Sequence, residues 1–186
     1  PLSVWRNRVD EYLDALCKEI EACAKIYQNR KLDTIYMGGG TPTTLEPYQM
    51  DRLLTKIEEC FDRSYVKEFT VEAGRPDSIT REKLEVLRAH GISRISINPQ
   101  TMNQSTLDLI GRRHTVEQTV EAFRLARELG FDNINMDLIV GLPGEEYEQV
   151  EHTMKEVTAL DPDSITVHSL AVKRAARLNM FKDQYK

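Results

Sequence analysis

The stretch IYMGGGTPT, residues 35–43, places three consecutive glycines directly after a short apolar run. Such a run, ended by glycine, is typical of a β-strand that enters a loop. A single glycine commonly serves only a tight turn between a strand and a helix. Three in succession, followed by Thr-Pro-Thr, favour a loop whose bare backbone lies against a ligand, with the tight turn as the alternative.

Two common nucleotide loops do not match this stretch. A phosphate-binding loop needs Gly-Lys-Ser/Thr at a fixed distance, and none follows here. A dinucleotide fingerprint needs a glycine three residues after Gly40, where the chain has Thr43. More generally, exposed amides in such a loop can hold a carboxylate or phosphate, and bare carbonyls can accept hydrogen bonds from an ammonium group.

The rest of the chain alternates between two apolar periods. Apolar residues at every third or fourth position predict amphipathic helices, and short β-rich runs bounded by Gly, Pro, Asp or Asn predict strands. The helices cover residues 9–27, 50–61, 81–90, 104–110, 116–129 and 150–157. The strands cover residues 34–37, 67–73, 93–98, 133–140 and 164–168. Gly91, Gly130 and the pair Asp161-Pro162 mark three of the helix ends.

Alternating helices and strands predict an α/β domain with a parallel sheet and right-handed crossovers. Residues 1–186 are long enough for one such domain. Five strands and about six helices fit either a doubly wound sheet or an incomplete β/α barrel. Both architectures bind ligands at the carboxyl ends of their strands, so functional side chains are expected there.

Two acidic residues stand in the predicted strands. Glu72 lies near the end of the second strand, and Asp137 interrupts the apolar fourth strand. A carboxylate within a strand is costly unless it is paired, so Asp137 is expected to meet a ligand or a buried arginine. Glu72 has the alternative of capping a neighbouring helix.

Gln100, after the third strand, and Arg112 form a second pair of candidates. A planar guanidinium beside acidic groups can bind a carboxylate in a bidentate way, although Arg112 could also end a solvated helix. His114 and His168 fall at the predicted ligand end as well. No two histidines have metal-ligand spacing, so no zinc site is expected, and the other two histidines are assigned no chemistry.

The composition bounds the function further. The net charge of −5 argues against nucleic acid as the main partner, and no apolar stretch approaches the roughly 20 residues that span a bilayer. Without a signal-peptide pattern, a cytoplasmic protein is expected. Three cysteines, Cys17, Cys23 and Cys60, suit a reducing compartment. The first two are about 9 Å apart along one predicted helix and cannot form a disulfide, and Cys60 is expected in the core.

Five motifs in a fixed order form a specific combination: GGGTPT (38–43), VEA (71–73), INPQT (97–101), IGRRH (110–114) and MDLIVGLPG (136–144). This ordered set resembles the oxygen-independent coproporphyrinogen III oxidases, which are radical S-adenosylmethionine enzymes. The closing VHSLAVKR, residues 167–174, is most similar to the clostridial-type coproporphyrinogen dehydrogenase branch. The resemblance runs from about Val9 to the end of the chain.

The resemblance implies a partial β/α barrel of six units, (β/α)6, with the ligand at the carboxyl ends of the strands. It implies that Gly39, Gly40 and Thr41 contact the methionine part of S-adenosylmethionine, with a backbone carbonyl accepting from its amino group. The polar contacts that it implies to the same cofactor, including its ribose and carboxylate, come from Glu72, Gln100, Arg112 and Asp137.

In this family, a [4Fe–4S] cluster cleaves S-adenosylmethionine to a 5′-deoxyadenosyl radical. The radical takes hydrogen from propionate side chains of coproporphyrinogen III, and decarboxylation leaves the vinyl groups of protoporphyrinogen IX. A porphyrinogen is therefore the implied small-molecule substrate in haem biosynthesis, whereas the electron donor and acceptor stay open. The alternatives are a related haem chaperone and a barrel that has lost catalysis.

The chain departs from the family in one respect. Family members hold the cluster with Cys-x3-Cys-x2-Cys after the first strand, and the chain has no such triplet. We therefore expect an internal piece of a longer protein, without the first strand and the cluster loop. On this basis no residue of the chain is predicted to bind a metal, and the isolated chain is predicted to bind no cluster and to be inactive.

Overall fold

The computed structural model describes residues 8–27 and 30–171, and this part of the chain contains six α-helices and five β-strands. In chain order they are α1 (Val9–Ile26), β1 (Thr34–Met37), α2 (Pro47–Cys60), β2 (Glu68–Gly74), α3 (Arg81–Ala89), β3 (Arg94–Gln100), α4 (Gln104–Leu109), α5 (Val116–Glu128), β4 (Ile134–Val140), α6 (Tyr147–Leu160) and β5 (Ser164–Ser169). Two short 3-10 helices, Pro42–Thr44 and Pro76–Ser78, follow β1 and β2.

The predicted elements are confirmed in number and order, with differences at their ends. β3 continues to Gln100, two residues beyond its predicted end. α2 begins at Pro47, which suits the first turn because proline has no amide hydrogen to satisfy there, and a capping box of Glu46 and Gln49 precedes it. Part of the closing motif, residues 172–174, lies outside the described residues.

The strands run parallel, and their order across the sheet, β1-β2-β3-β4-β5, repeats their order along the chain. A doubly wound sheet reverses its strand order at a switch point. No such reversal occurs among the five described strands. Right-handed crossovers then bring the connecting helices to one face, as in a β/α barrel. The incomplete barrel is confirmed, and the doubly wound alternative is wrong.

The two faces of this sheet differ in chemistry. Ile95, Ile97, Ile134 and Met136 point to the apolar face and are fully buried in the core with side chains of the helices. The opposite face carries polar side chains at alternate positions, joined by hydrogen bonds: Glu72, Ser96, Asn98, Asn135, Asp137, Ser164 and Thr166. Strands buried on both faces are apolar throughout, so the alternation marks the inner wall of the barrel as polar.

The structure shows the state of the cysteines and the lengths of the helices, about which the composition gave expectations. Cys17, Cys23 and Cys60 are all free thiols, and Cys60 is only partly buried at the end of α2 instead of lying in the core. No helix within residues 8–27 and 30–171 is both long enough and apolar enough to cross a membrane.

On the outer layer, His90 joins α2 to α3. Its Nε2 lies 2.8 Å from Asp51 Oδ1 and its Nδ1 lies 2.9 Å from Glu58 Oε1, while the imidazole is only 10% exposed. Both ring nitrogens donate only when the imidazole is protonated. Burial alone would lower the pKa of His90, but the hydrogen bonds to the two carboxylates outweigh it and raise the pKa above 6.5.

His90 is therefore expected to make stability fall as the pH rises. Its contribution is complete below pH 6.5 and disappears as the pH passes through the raised pKa of the folded state. We expect His90→Gln to lower the free energy of unfolding by only about 1 kcal/mol near pH 6, because solvent screens the charges of the two carboxylates. Near pH 8.5 the loss should be much smaller. Urea denaturation at both pH values measures this difference. His152→Gln, at an exposed position of α6, should leave the pH profile unchanged, and an equal effect of both substitutions would contradict the assignment.

Candidate functional site

The three glycines after β1 serve different purposes. A Cβ at Gly38 would overlap the Tyr36 ring and come within 2.8 Å of Glu72 Oε2, so that position is closed by the protein itself. Gly39 has φ +105°, which favours glycine, and a Cβ there would meet no described residue within 4 Å. Gly40 has no left-handed φ, and an added Cβ would have no neighbour within 4 Å among residues 8–27 and 30–171. A steric clash therefore explains the glycine at position 38, and the positive φ explains the glycine at position 39. Neither reason applies to Gly40, which has open space beside it.

Glu72 connects this loop to the inner wall of the barrel. Its Oε2 accepts from the Gly39 amide at 3.3 Å and from the Tyr36 hydroxyl at 3.4 Å, while Oε1 accepts from Asn98 Nδ2 at 3.1 Å. Burial, followed by the charges of Glu72 and Asp137, raises the pKa of Tyr36, which stays a hydrogen-bond donor at neutral pH. The carboxylate therefore receives three donors from β1, its loop and β3.

A chain of hydrogen bonds continues from β3 to β5. Ser96 Oγ donates to Asn98 Oδ1 at 3.1 Å, and Asn135 Nδ2 donates to Ser96 Oγ at 3.1 Å and to Asp137 Oδ1 at 2.6 Å. Asn135 Oδ1 accepts from Ser164 at 2.8 Å and Thr166 at 3.0 Å. Within residues 8–27 and 30–171, the hydrogen-bond partner of Asp137 is thus an amide and no arginine forms an ion pair with it, so the expected ligand stays a prediction.

Two structural contacts hold the glycine loop at the end of β2. Thr43 Oγ1 donates to the carbonyl of Ala73, and Lys83 Nζ of α3 donates to the carbonyl of Thr43 at 2.6 Å. Gly74 has φ +70°, and a Cβ there would lie 2.8 Å from Thr41 Cγ2. Thr41 therefore packs against the end of β2, where a larger residue than glycine would displace it.

The loops after β3 and β4 are joined in the same manner. Glu145 Oε1 accepts from Thr101 Oγ1 and from Asn103 Nδ2, and Thr153 Oγ1 of α6 accepts from the amide of Met102 at 3.0 Å. Gln100 precedes this network with φ +71° and is 8% exposed. A positive φ is uncommon for a residue other than glycine, and it turns the backbone sharply where β3 leaves the sheet.

The loops that follow the carboxyl ends of the strands form the rim of the barrel. Arg112 lies in one of them, in the turn after α4. Its amide donates to the carbonyl of Leu107 at 2.9 Å across Gly111, whose φ is +73°, and this turn ends the helix. Burial, followed by repulsion from Arg75, lowers the pKa of Arg112. Arg75 lies beyond the end of β2, where its Nε is 3.4 Å from Asp77 Oδ1.

The predicted residues fall into two groups. Gly39 and Glu72 are in direct contact, and Asp137 is joined to them through the hydrogen bonds of Asn98, Ser96 and Asn135. Gln100 ends β3 and Arg112 lies in the turn after α4, and among the described residues their side chains make no hydrogen bond to that group. Gly40 and Thr41 continue the glycine loop, and His168 is exposed on β5.

The sequence analysis did not predict three residues near the candidate site: Tyr36, Asn135 and Arg75. The polar residues at every second position of the strands could have indicated the first two, since a covered parallel strand should be apolar on both faces. Arg75 had no such signal, because its influence on the pKa of Arg112 depends on the packing of separate loops.

A sequential parallel sheet, helices on one face, and a glycine loop with polar side chains at the rim define a β/α-barrel protein whose candidate site lies at its strand carboxyl ends. The family model of the Radical SAM superfamily matches residues 7–157. The chain therefore belongs to the radical SAM superfamily.

Individual relatives narrow the comparison. The oxygen-independent coproporphyrinogen-III oxidase-like protein HemZ of Bacillus subtilis (strain 168) is 47% identical over 97% of the chain and 36% of that protein. The heme chaperone HemW of the same strain is 41% identical over 89% of the chain and 44% of that protein. The solved structure of coproporphyrinogen III oxidase (HemN) from Escherichia coli matches with a TM-score of 0.83 and 35% identity, over 90% of the chain and 38% of that structure. The chain thus spans less than half the length of each of these relatives.

Membership in this superfamily implies S-adenosylmethionine and a [4Fe–4S] cluster, and the two groups fit the chain differently. The open backbone at Gly40 and two buried nitrogens that have no hydrogen-bond partner among the described residues, Arg75 Nε and His114 Nδ1, suit a polar small molecule. A cluster does not fit: no group of three metal-ligating side chains occurs in residues 8–27 and 30–171, and the three cysteines lie on α1 and α2.

Proposed function

We propose that this chain is the S-adenosylmethionine-binding core of an oxygen-independent coproporphyrinogen III oxidase, forming one domain of a longer protein. The observation that carries the proposal is the rim itself, where a glycine loop with open space beside Gly40 is joined to Asp137 by a chain of hydrogen bonds through Glu72, Asn98, Ser96 and Asn135. The names of the relatives HemZ and HemN support the choice of reaction.

Each rim residue has a role that follows from its chemistry. The backbone of Gly39 and Gly40, with Thr41 beside it, receives the methionine end of S-adenosylmethionine. The carboxylates of Glu72 and Asp137 accept hydrogen bonds from hydroxyl groups such as those of a ribose. Gln100 offers both a donor and an acceptor.

Arg112 completes the site with a positive charge for the carboxylate of the ligand. Partial burial strengthens such a charge-assisted contact and excludes water from it. When bound, the cofactor supplies the radical chemistry that removes hydrogen from a porphyrinogen propionate, and the protein contributes position and exclusion of water.

A haem chaperone is the second candidate, because HemW of Bacillus subtilis is 41% identical to the chain. The same rim could hold S-adenosylmethionine in either protein. The two candidates differ in what happens to the porphyrin: one converts its side chains, and the other binds haem and releases it unchanged.

Anaerobic assay of the whole protein that contains this chain separates the candidates. We expect protoporphyrinogen IX to form from coproporphyrinogen III when S-adenosylmethionine and a reductant are present. Stable haem binding without conversion would favour the chaperone. Failure to cleave S-adenosylmethionine at all would favour a barrel that has lost catalysis and would overturn the proposal.

A further inference from the structure

Two loops of the rim share one local structure. After β1, residues 41–44 contain the 3-10 helix Pro42–Thr44, and after β2, residues 75–78 contain the 3-10 helix Pro76–Ser78. In both, a proline follows an extended residue, and two backbone hydrogen bonds close the turn. The carbonyls at the end of such a helix have no partner within it. Each loop therefore needs a donor from elsewhere.

Lys83 of α3 reaches both loops. Its Nζ donates to the carbonyl of Thr43 at 2.6 Å and to the carbonyl of Ser78 at 3.3 Å. Both carbonyls lie at the end of their 3-10 helix, and no backbone amide of the described residues donates to either. Within residues 8–27 and 30–171, the hydrogen-bond partners of this partly buried ammonium group are these two carbonyls, and no carboxylate pairs with it. The positive charge of Lys83 is therefore used to hold backbone.

Thr43 is fixed at two points. Its side chain is fully buried, and its Oγ1 donates to the carbonyl of Ala73 and lies 2.6 Å from Ser78 Oγ. Lys83 holds its carbonyl. With both the side chain and the carbonyl bonded, the backbone at Thr43 has little freedom to rotate, and the glycine loop (residues 38–43) ends in one defined conformation.

The carbonyls of the glycine loop fall into two groups. Those of residues 41–43 are all in use, because the first two accept backbone amides from the turn that follows and the third accepts from Lys83. Among the described residues, nothing donates to the carbonyls of Gly39 and Gly40. Bare carbonyls of this kind can accept hydrogen bonds from an ammonium group. Lys83 thus completes an arrangement in which the glycines carry the free acceptors.

We propose that Lys83 is a positioning residue for the ligand site: through the carbonyl of Thr43 it holds the glycine loop in the conformation that receives the amino-acid end of the ligand. The proposal rests on the proposed function, in which this ligand is S-adenosylmethionine. Without Lys83 the loop has several conformations, and the ligand binds only the fraction of molecules that are in the right one. Binding then weakens although no ligand contact has been removed.

Equilibrium binding and hydrogen exchange test this role without any assay of turnover. Lys83→Met keeps the length and the apolar stem of the side chain and removes its donors. We expect calorimetric titration of the whole protein containing this chain to show S-adenosylmethionine binding about tenfold weaker. In the absence of ligand, the amides of Thr44 and Leu45 should exchange about tenfold faster, and those of β3 no more than about threefold faster. A lysine that only stabilised the fold would change neither the affinity of the folded protein nor this ratio.

Two further variants are the controls. Lys83→Arg keeps a cation that donates to carbonyls, so it should restore the affinity to within about threefold. Lys155→Met is the matched substitution on α6, where the lysine side chain is 70% exposed and pairs with Glu151 at 3.3 Å. It should leave the affinity within about twofold, since exposed ion pairs contribute little.

The outcomes separate this proposal from the proposed function. Normal affinity in Lys83→Met, an equal loss in Lys155→Met, or no recovery in Lys83→Arg would overturn the role of Lys83 and leave the proposed function intact. If the unsubstituted protein does not bind S-adenosylmethionine, the proposed function fails, and this proposal fails with it. Should Lys83→Met not fold, Lys83→Gln takes its place. It keeps a neutral donor on a shorter side chain and should weaken binding about threefold, and unchanged affinity there would equally overturn the proposal.

Discussion

Gly40→Ala is expected to weaken S-adenosylmethionine binding by about 10- to 100-fold without destabilising the fold. An added Cβ meets no atom of the described part of the chain within 4 Å, so it projects into the space proposed for the ligand. The backbone at Gly40 has no left-handed φ, so alanine should leave the free energy of unfolding unchanged or raise it by about 0.4–1 kcal/mol. Calorimetric titration of the whole protein, together with urea denaturation of this chain, measures both quantities.

Gly38→Ala is the informative comparison two residues away. Its Cβ would overlap the Tyr36 ring and approach Glu72 Oε2, so it should disturb the protein before any ligand is present. We expect a loss of about 1–2 kcal/mol in stability as well as weaker binding. If Gly40→Ala lowered stability to the same extent, or bound S-adenosylmethionine normally, the space beside Gly40 would not be the ligand site.

Asn135→Asp is expected to lower the free energy of unfolding by about 3 kcal/mol near pH 7. The side chain is 2% exposed, and its amide uses both donor hydrogens and both acceptor sites. A carboxylate of the same size keeps the contacts with Ser164 and Thr166. It cannot donate to Ser96, and it places a second negative charge where Asn135 Nδ2 now lies 2.6 Å from Asp137.

The pH dependence distinguishes lost hydrogen bonds from charge repulsion. Below about pH 5, a proton shared between the two carboxyl groups should restore part of the difference between the variant and the unsubstituted chain. Thr166→Val serves as the control, since it removes a single partner of Asn135 and should cost about 1 kcal/mol at every pH. An effect of Asn135→Asp no larger than that of Thr166→Val would show that the amide does not organise the inner wall.

The fold was predictable in its elements but not in its closure. Apolar periodicity located the helices and strands within a few residues, because burial of one face imposes that pattern directly. The residues themselves allowed both a doubly wound sheet and a barrel, since both alternate helix and strand. Strand order is a property of the assembled sheet, and only the resemblance to a known family favoured the barrel before the structure did.

The site was predictable to the extent that it lies in single loops. The positions of Gly39 and Glu72 at strand ends predict that both belong to the site, and the two are in hydrogen-bond contact. The free-energy cost of a charge within a strand predicts a partner for Asp137. That partner is the amide of Asn135, two residues earlier on the same face of β4. Arg75 lies on a different loop from Arg112, so no spacing along the chain could predict its influence on the pKa of Arg112.

Hydrogen bonds that tie the loops of the rim to neighbouring elements also affect the conformational entropy that the protein loses when a ligand binds. Loops at the end of a barrel are ordinarily its most mobile part, yet here the amide of Gly39 is held by Glu72 and that of Met102 by Thr153. These two amides should exchange with deuterium more slowly than exposed loop amides even without a ligand. The rim is thus largely preorganised, so a ligand that enters it loses little free energy to the ordering of the protein.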